Sequence, residues 1–380
     1  MHNPAPKIVI AIDSYKGCLS SLEAANSVAR GIHRVLPEAK IIKVPVADGG
    51  EGSLQALVDA SCGFLESTLS YDPIHRKIKT KFGLTPDRKT AFIEVAASIG
   101  LTLVERNLRK PLTSSSYGVG QQIKAALDLG VRNFIICLGG SATTDGGAGM
   151  LSALGVEFFQ DNLKLKATPL SLANLNRISL SNLDKRLQES TFLVASDVLN
   201  PLTGPNGAAF TFSPQKGATP KEVAFLDDFL IRLANIYEKT TNKKILKEPK
   251  MGAAGGITAA LVAFFNAKIV RGINLILDYL EFEQLIQGAD LIITGEGSLD
   301  KQSISGKTPL GVCEYGNKYN IPVIALAGKV LTEPGLFLSH GFKAVFSITP
   351  GPISLEESLS KGDELLAFSA ENLANIIFNI

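Results

Sequence analysis

Apolar runs that end in small polar residues recur along this chain. KIVIAI at 7–12 and KIIKVPV at 40–46 are two of them, and runs that stay apolar on both faces are what a buried parallel sheet demands of its strands. DSYKG at 13–17 follows the first and leads into SSLEAANSVARGIHRVLP, a predicted helix with Ser20 or Ser21 as cap and Pro37 as stop. ADGGEG at 47–52 follows the second and leads into a helix over about 53–60. The rhythm changes after Gly63, where FLESTLSYDP, KIKTKFGL and KTAFIEVAAS (64–98) read as successive strands without helices between them, hence a mixed or antiparallel sheet. A helix over 116–129, strands over 134–138 and 191–195, and helices over 221–240 and 255–266 come next, while the uneven leucines of 170–183 predict loop with short turns. Strands at 290–294, 323–326 and 344–348 then alternate with helices near 305–319, 333–340 and 355–378.

A return to β-α units at the C-terminus is explained most simply if both chain ends complete one sheet. The expected fold is α/β: a Rossmann-like parallel-sheet domain from 1–70 and 286–380, with an inserted second α/β domain, 71–285, containing a mixed sheet. At 380 residues the chain exceeds the size at which one core usually keeps growing, which agrees with two domains.

Composition narrows the function. A net charge of +2 argues against a nucleic-acid surface, which would mass Lys and Arg on one face. The uncharged run at 251–267 is too short and glycine-rich to span a bilayer and reads as a buried helix. Cys18, Cys62, Cys137 and Cys313 lack any short spacing, so neither a zinc site nor a disulfide framework is expected; with a short polar leader, MHNPAP, that reads as cytoplasmic. A homo-oligomer is compatible with the sequence.

The densest polar segment is GGSATTDGGAGM at 139–150, which follows the strand NFIIC and opens a helix. Small residues let backbone N–H groups approach a ligand and a helix N-terminus favours negative charge, so an anion is expected here; Asp145 would sit badly beside a bare anion and suggests a cation or polarised hydroxyl. Five other segments share the format: DSYK at 13–16, DGGE at 48–51, Ser196-Asp197, QKG at 215–217 and GEGSLDKQSISGK at 295–307. Their carboxylates outnumber their lysines, an excess that Mg²⁺ would resolve, and lysines, helix starts and Mg²⁺ are the parts needed to neutralise a transferring phosphoryl group. Neither a Walker G-x-x-x-x-G-K-[ST] motif nor G-x-G-x-x-G is present, which disfavours hydride transfer by the ordinary dinucleotide fold.

DSYKG, VADGGEG at 46–52, GGSATTDGGAGM, SDVLNPLTGPNGA at 196–208, SPQKGA at 213–218 and TGEGSLDKQSISGKTPLGV at 294–312 resemble the signatures of the bacterial glycerate kinase family, the glyoxylate-pathway type, over nearly the whole chain. The sequence departs where that family commonly has Asn (Thr144), Cys (Ser196) and Gly (Ser213). The resemblance implies phosphorylation of D-glycerate with ATP and Mg²⁺ around an interdomain cleft, with 2-phosphoglycerate favoured over 3-phosphoglycerate although no residue separates the two hydroxyls. It implies that Asp197, with Asp48 as runner-up, orients or deprotonates the glycerate hydroxyl, and that Lys16, Lys216 and Lys307 meet the substrate carboxylate or the phosphates. Asp13, Ser14, Gly49, Gly50, Glu51, Gly140, Ser141, Thr143, Asn200, Gln215 and Ser303 complete the expected binding set, with Asp145, Glu296 and Asp300 for the metal. Either glycerate or nucleotide phosphate suits the glycine loop. Two other classes use similar groups: a phosphatase or mutase on a small phosphorylated hydroxy acid, which would need no nucleotide, and a noncatalytic sensor of glycerate or nucleotide, which would have no need of the acids at 48, 145 and 197.

Overall fold

The computed structural model describes residues 5–47, 49–50, 52–300, 303–304 and 306–378. Its strands are β1 (Lys7–Ile10), β2 (Lys40–Lys43), β3 (Phe64–Tyr71), β4 (Lys77–Leu84), β5 (Thr90–Glu94), β6 (Asn133–Cys137), β7 (Glu157–Gln160), β8 (Leu163–Leu165), β9 (Arg177–Ser179), β10 (Thr191–Ala195), β11 (Lys268–Val270), β12 (Leu291–Leu299), β13 (Val323–Val330) and β14 (Ala344–Ser347). The chain divides into two compact units, one made of Met1–Asp48, Gln55–Ala60 and Arg271–Ile380 and the other of Gly49–Leu54 and Ser61–Val270.

In the first unit the strands lie in the order β14-β13-β12-β1-β2, and every neighbouring pair is parallel. Both ends of the chain therefore build one sheet, as the β-α rhythm predicts. From β1 the chain steps to β2 on one side, and from β12 it steps through β13 to β14 on the other, so the winding reverses between β1 and β12. Ile8, Ile10 and Ile12 pack with Ala24, Val28 and Ile32 of the helix Ser21–Val35 and with Leu366, Ala370 and Leu373 of the helix Gly362–Phe378. Ser20 and Glu23 close a reciprocal capping box at the start of the first helix. Its Gly31 lies so close to the second helix that a Cβ there would fall 2.0 Å from the Ala367 carbonyl oxygen.

Two expectations for this unit need correction. The helix over 355–378 is two helices, Leu355–Ser360 and Gly362–Phe378, and Gly362 presses on Cys18 where a Cβ would stand 2.2 Å from the thiol sulfur. The strand near 290 also runs on to Leu299, so GEGSL pairs with β13 instead of forming a loop. Gly295 makes that pairing feasible, because a Cβ there would meet the Leu326 carbonyl oxygen at 1.9 Å.

The second unit carries the mixed sheet, in the order β11-β10-β6-β5-β4-β3, parallel from β11 to β5 and antiparallel at β4 and β3. Phe134, Ile136 and Val194 of this sheet pack with Leu226, Leu230 and Leu233 of the helix Pro220–Thr241 and with Ile257, Ala260 and Leu261 of the helix Ile257–Phe265. The segment expected to be loop contributes β9, which with β8 flanks β7 in a small antiparallel sheet. Strands of three residues are too short to show alternation. The run at 251–267 is a tight turn followed by the buried helix Ile257–Phe265, and among the described residues no helix is long and apolar enough to cross a membrane.

Candidate active site

Ligands of open α/β sheets bind beyond the carboxyl ends of the strands where the winding reverses. In the first unit that place is the end of β1 and β12, and a cavity of about 730 Å³ opens there. Asp13, Ser14, Lys16, Glu296, Asp300 and Lys307 line it, so six of the expected site residues, from segments almost 300 positions apart in sequence, share one pocket. Register explains the meeting: Ile10 pairs with Ile293, and the Asp13 N–H donates to the Gly295 carbonyl at 2.9 Å.

Local bonds hold these carboxylates. Asp13 is buried; its Oδ1 accepts from the Ser14 N–H at 2.6 Å and its Oδ2 from the Thr308 hydroxyl at 2.7 Å. Ser303, also buried, donates to Glu296 Oε1 at 2.5 Å, and its N–H donates to Asp300 Oδ1 at 3.2 Å. Tyr15 donates its hydroxyl to the Leu326 carbonyl at 2.8 Å, and burial, then the charges of Glu296 and Asp13, keeps that phenol protonated. Thr308 and Tyr15 were not singled out from sequence, although both lie within the recognised motifs DSYKG and SGKTP.

In the second unit, β6 and β10 are parallel neighbours with Cys137 opposite Ala195, so the glycine loop and Asp197 leave the same edge side by side, two residues beyond that pair. Asp197 is half-buried at this strand end. Lys216, at the end of the single turn Pro214–Lys216, is 2 % exposed and donates to the Thr143 carbonyl at 2.5 Å and to Ser141 Oγ at 3.3 Å. Burial lowers its ammonium pKa to about 7 against the opposing pull of Asp145. The Thr143 hydroxyl is buried and makes no hydrogen bond among the described residues. Gly140 adopts φ +75°, a left-handed conformation that favours glycine, and is exposed.

The far half of the glycine loop serves a different purpose from the one its composition suggests. Residues 141–150 are all buried. The carboxylate of Asp145, wholly buried, accepts from Ser116 N at 2.7 Å, Ser116 Oγ at 2.8 Å, Gly147 N at 3.1 Å and Gly149 N at 3.1 Å. The anion at the start of the helix Ala148–Ala153 is thus the chain's own. Four donors bind the carboxylate expected for the metal into its own unit, three on Oδ2 and one on Oδ1; burial raises its pKa while those bonds oppose the shift. The nearby glycines answer to packing, since a Cβ on Gly146 would lie 2.5 Å from Leu233 and one on Gly147 2.6 Å from Ala260.

Other expected residues lie in loops of the same unit, and the Gly49 carbonyl accepts from the Gly139 N–H at 3.4 Å. Asn200 spends its amide on the Asn206 carbonyl at 2.7 Å and the Thr211 hydroxyl at 3.2 Å, stitching its own loop. Gln215 is exposed, and its carbonyl accepts from Arg109 at 3.1 Å. Gly49 adopts φ +85° and Gly50 accepts from the Ser53 N–H at 3.2 Å, while Asp48 and Glu51 lie outside the described residues. Thr144 and Ser213, both fully buried, join their hydroxyls at 3.0 Å and tie the glycine loop to the turn bearing Lys216.

Known proteins are similar to this chain over nearly its whole length. The family model described as the glycerate kinase family matches residues 8–378. A glycerate kinase of Halalkalibacterium halodurans is 43% identical over 372 residues, covering 97% of each chain. A glycerate 2-kinase of Escherichia coli is 42% identical over 369 residues, again covering 97% of each. A crystal structure from Salmonella typhimurium LT2, assigned as a glycerate kinase 2, superposes with a TM-score of 0.89 at 42% identity over 98% of both chains. A match that spans both units and every polar segment described above has one reading: the chain belongs to the glycerate kinase family and is a kinase.

Proposed function

We propose that the protein transfers the γ-phosphoryl group of ATP, taken as its Mg²⁺ complex, to O2 of D-glycerate, giving 2-phosphoglycerate and ADP. The observation that carries this reading is the gathering of Asp13, Glu296, Asp300, Lys16 and Lys307 in one pocket at the reversal between β1 and β12. Mixed acids and lysines of that kind suit a metal-bound polyphosphate. The choice of O2 rests on the relative from Escherichia coli, whose name is glycerate 2-kinase.

Phosphoryl transfer asks mainly for positioning and charge neutralisation. Lys16 and Lys307 take the phosphates. Lys216, Ser141 and the hydroxyl of Thr143 hold the glycerate carboxylate. Asp197 orients the hydroxyl: its oxygen forms the new bond to phosphorus as the bond to the β–γ bridging oxygen breaks, ADP leaves, and the proton passes to the carboxylate and on to water. Among the described residues no three His, Cys, Asp or Glu side chains gather closely enough to hold a metal ion by themselves; Asp13, Glu296 and Asp300 offer hard oxygen donors, and Mg²⁺ commonly takes one or two carboxylates and completes its shell with water and substrate phosphate. Bound there, the ion would neutralise charge on the phosphoryl oxygens. None of the four cysteines forms a disulfide, which accords with a reducing cytoplasm.

Incubation with ATP, Mg²⁺ and D-glycerate tests the proposal, with the product read by phosphorus NMR. A phosphate on C2 couples to a single proton and one on C3 to two, so a doublet supports O2 and a triplet overturns it. Release of phosphate from phosphoglycerate without nucleotide would favour a phosphatase instead.

A further inference from the structure

The group formed by Ser141, Thr143 and Lys216 is tied together by a residue that lies in none of the recognised motifs. Segment 99–104 runs against the glycine loop: Gly100 and Ser141 form an antiparallel bridge, the Ala142 N–H donates to the Ile99 carbonyl at 2.8 Å, and the Leu101 N–H donates to the Gly140 carbonyl at 2.8 Å. Arg109 follows the single turn Arg106–Leu108 and reaches from this segment to the turn that bears Lys216. Its Nη2 donates to the Leu101 carbonyl at 2.9 Å and its Nε to the Val104 carbonyl at 3.1 Å. Its Nη1 donates at 3.1 Å to the carbonyl of Gln215, the residue before Lys216. The backbone of the same turn lies close by, since a Cβ on Gly217, at φ +97°, would stand 3.0 Å from the Arg109 Cβ.

Lys216 needs such support because it sits against its own preference. A buried ammonium gains by swinging out into water, and the turn Pro214–Lys216 is three residues long with no side-chain cap. The Thr144 and Ser213 hydroxyls, joined at 3.0 Å, fasten the start of that turn to the glycine loop. Arg109 fastens its end. A guanidinium suits the task because its donors are fixed in one plane and reach several acceptors at once, whereas an ammonium is a point charge.

We propose that Arg109 is a positioning residue, a clasp that keeps Lys216 Nζ on the Thr143 carbonyl and Ser141 Oγ by tying Gln215 to the segment beside the glycine loop. The proposal rests on the reading of Lys216 as the anchor for the glycerate carboxylate and adds what keeps that anchor in place.

The test compares the parent protein with its Arg109→Ala and Arg109→Lys variants. Lysine acylation by acetic anhydride is followed by peptide mass spectrometry, with the exposed Lys239 of the same unit as reference. Acylation of Lys216 relative to Lys239 should rise by about tenfold in both variants, as a local opening becomes easier. KM for D-glycerate should rise by about tenfold, the scale of one charge-assisted hydrogen bond, with KM for ATP within about twofold of the parent. Dilute guanidinium chloride, far below denaturing concentrations, should restore both the protection of Lys216 and the KM in Arg109→Ala. Unchanged protection of Lys216 in both variants overturns the proposal. So does added acylation of Arg109→Ala that guanidinium leaves in place, because a generally loosened fold is not mended by supplying one missing fork. Where Arg109→Ala is too unstable to assay, Arg109→Lys decides by its protection and KM. Faster acylation with an unchanged KM for D-glycerate supports the clasp and removes the role given to Lys216, which separates the two failures.

Discussion

Lys216 donates from Nζ to the carbonyl oxygen of Thr143 at 2.5 Å and is almost wholly buried, so its ammonium sits where charge is costly. Burial brings its pKa down to about 7. The pH dependence of kcat/KM reports groups of the free enzyme, and if the charged form holds the glycerate carboxylate, kcat/KM for D-glycerate falls as pH rises through about 7. A rising limb there would assign Lys216 as a base instead. Stability runs the other way: between about pH 7 and the unperturbed value of 10.5 the unfolded chain binds the proton and the folded chain does not, so stability increases with pH across that window. Lys216→Met should abolish this dependence in thermal melts and lower kcat/KM by roughly 10²-fold.

Asp145 is expected to matter for folding. Asp145→Asn keeps the size of the side chain but replaces one acceptor oxygen with a donor, which faces either the Gly147 N–H or the Ser116 and Gly149 N–H groups. At about 1–3 kcal/mol for each buried group left unsatisfied, unfolding should become easier by several kcal/mol. The Mg²⁺ concentration for half-maximal activity of the folded fraction should stay the same, and a tenfold rise would return Asp145 to the metal site.

Asp197→Asn tests the acid beside the glycine loop. The expected result is a kcat lower by roughly 10²-fold or more, the usual range for a positioned acid or base, with KM for ATP nearly unchanged. If Asp197 only caps the turn that follows β10, the cost is about 1 kcal/mol of stability and kcat per folded molecule is normal, which would move the role to Asp48.

Metal dependence is a separate expectation. ATP consumption should require both D-glycerate and a divalent cation, and EDTA should abolish it reversibly. Full turnover in EDTA would falsify the assignment of Asp13, Glu296 and Asp300 to a cation.

A test of the loop itself follows from Gly255, which adopts φ +67° where a Cβ would fall 2.0 Å from the Thr143 carbonyl oxygen. Gly255→Ala should displace the carbonyl that Lys216 uses. Raised KM for D-glycerate with little change in KM for ATP is the expected signature.

Much of this protein is written locally. Strands buried on both faces must be apolar throughout, so KIVIAI, NFIIC and TFLVA declared themselves, and the paired return of β-α units at both termini was enough to predict that β1 and β12 share a sheet. The chemistry was legible because charged residues packed among glycines at strand ends are costly unless used, and those motifs carried the family resemblance that the comparisons bear out. Short features were not legible: β8 and β9 have three residues each, below the length at which alternation can be read.

Tertiary structure alone decided which polar residues line a cavity and which are bound up by the protein itself. Gly295 to Leu299 read as loop because glycine and glutamate are poor strand formers, yet pairing with β13 overrides that preference. Asp145 looked like a ligand in sequence, but its partner Ser116 lies 29 residues away and only the fold brings the two together. Sequence determined the strands and the stock of charged groups because both follow from neighbours along the chain; their use depended on contacts between distant segments, which no local pattern records.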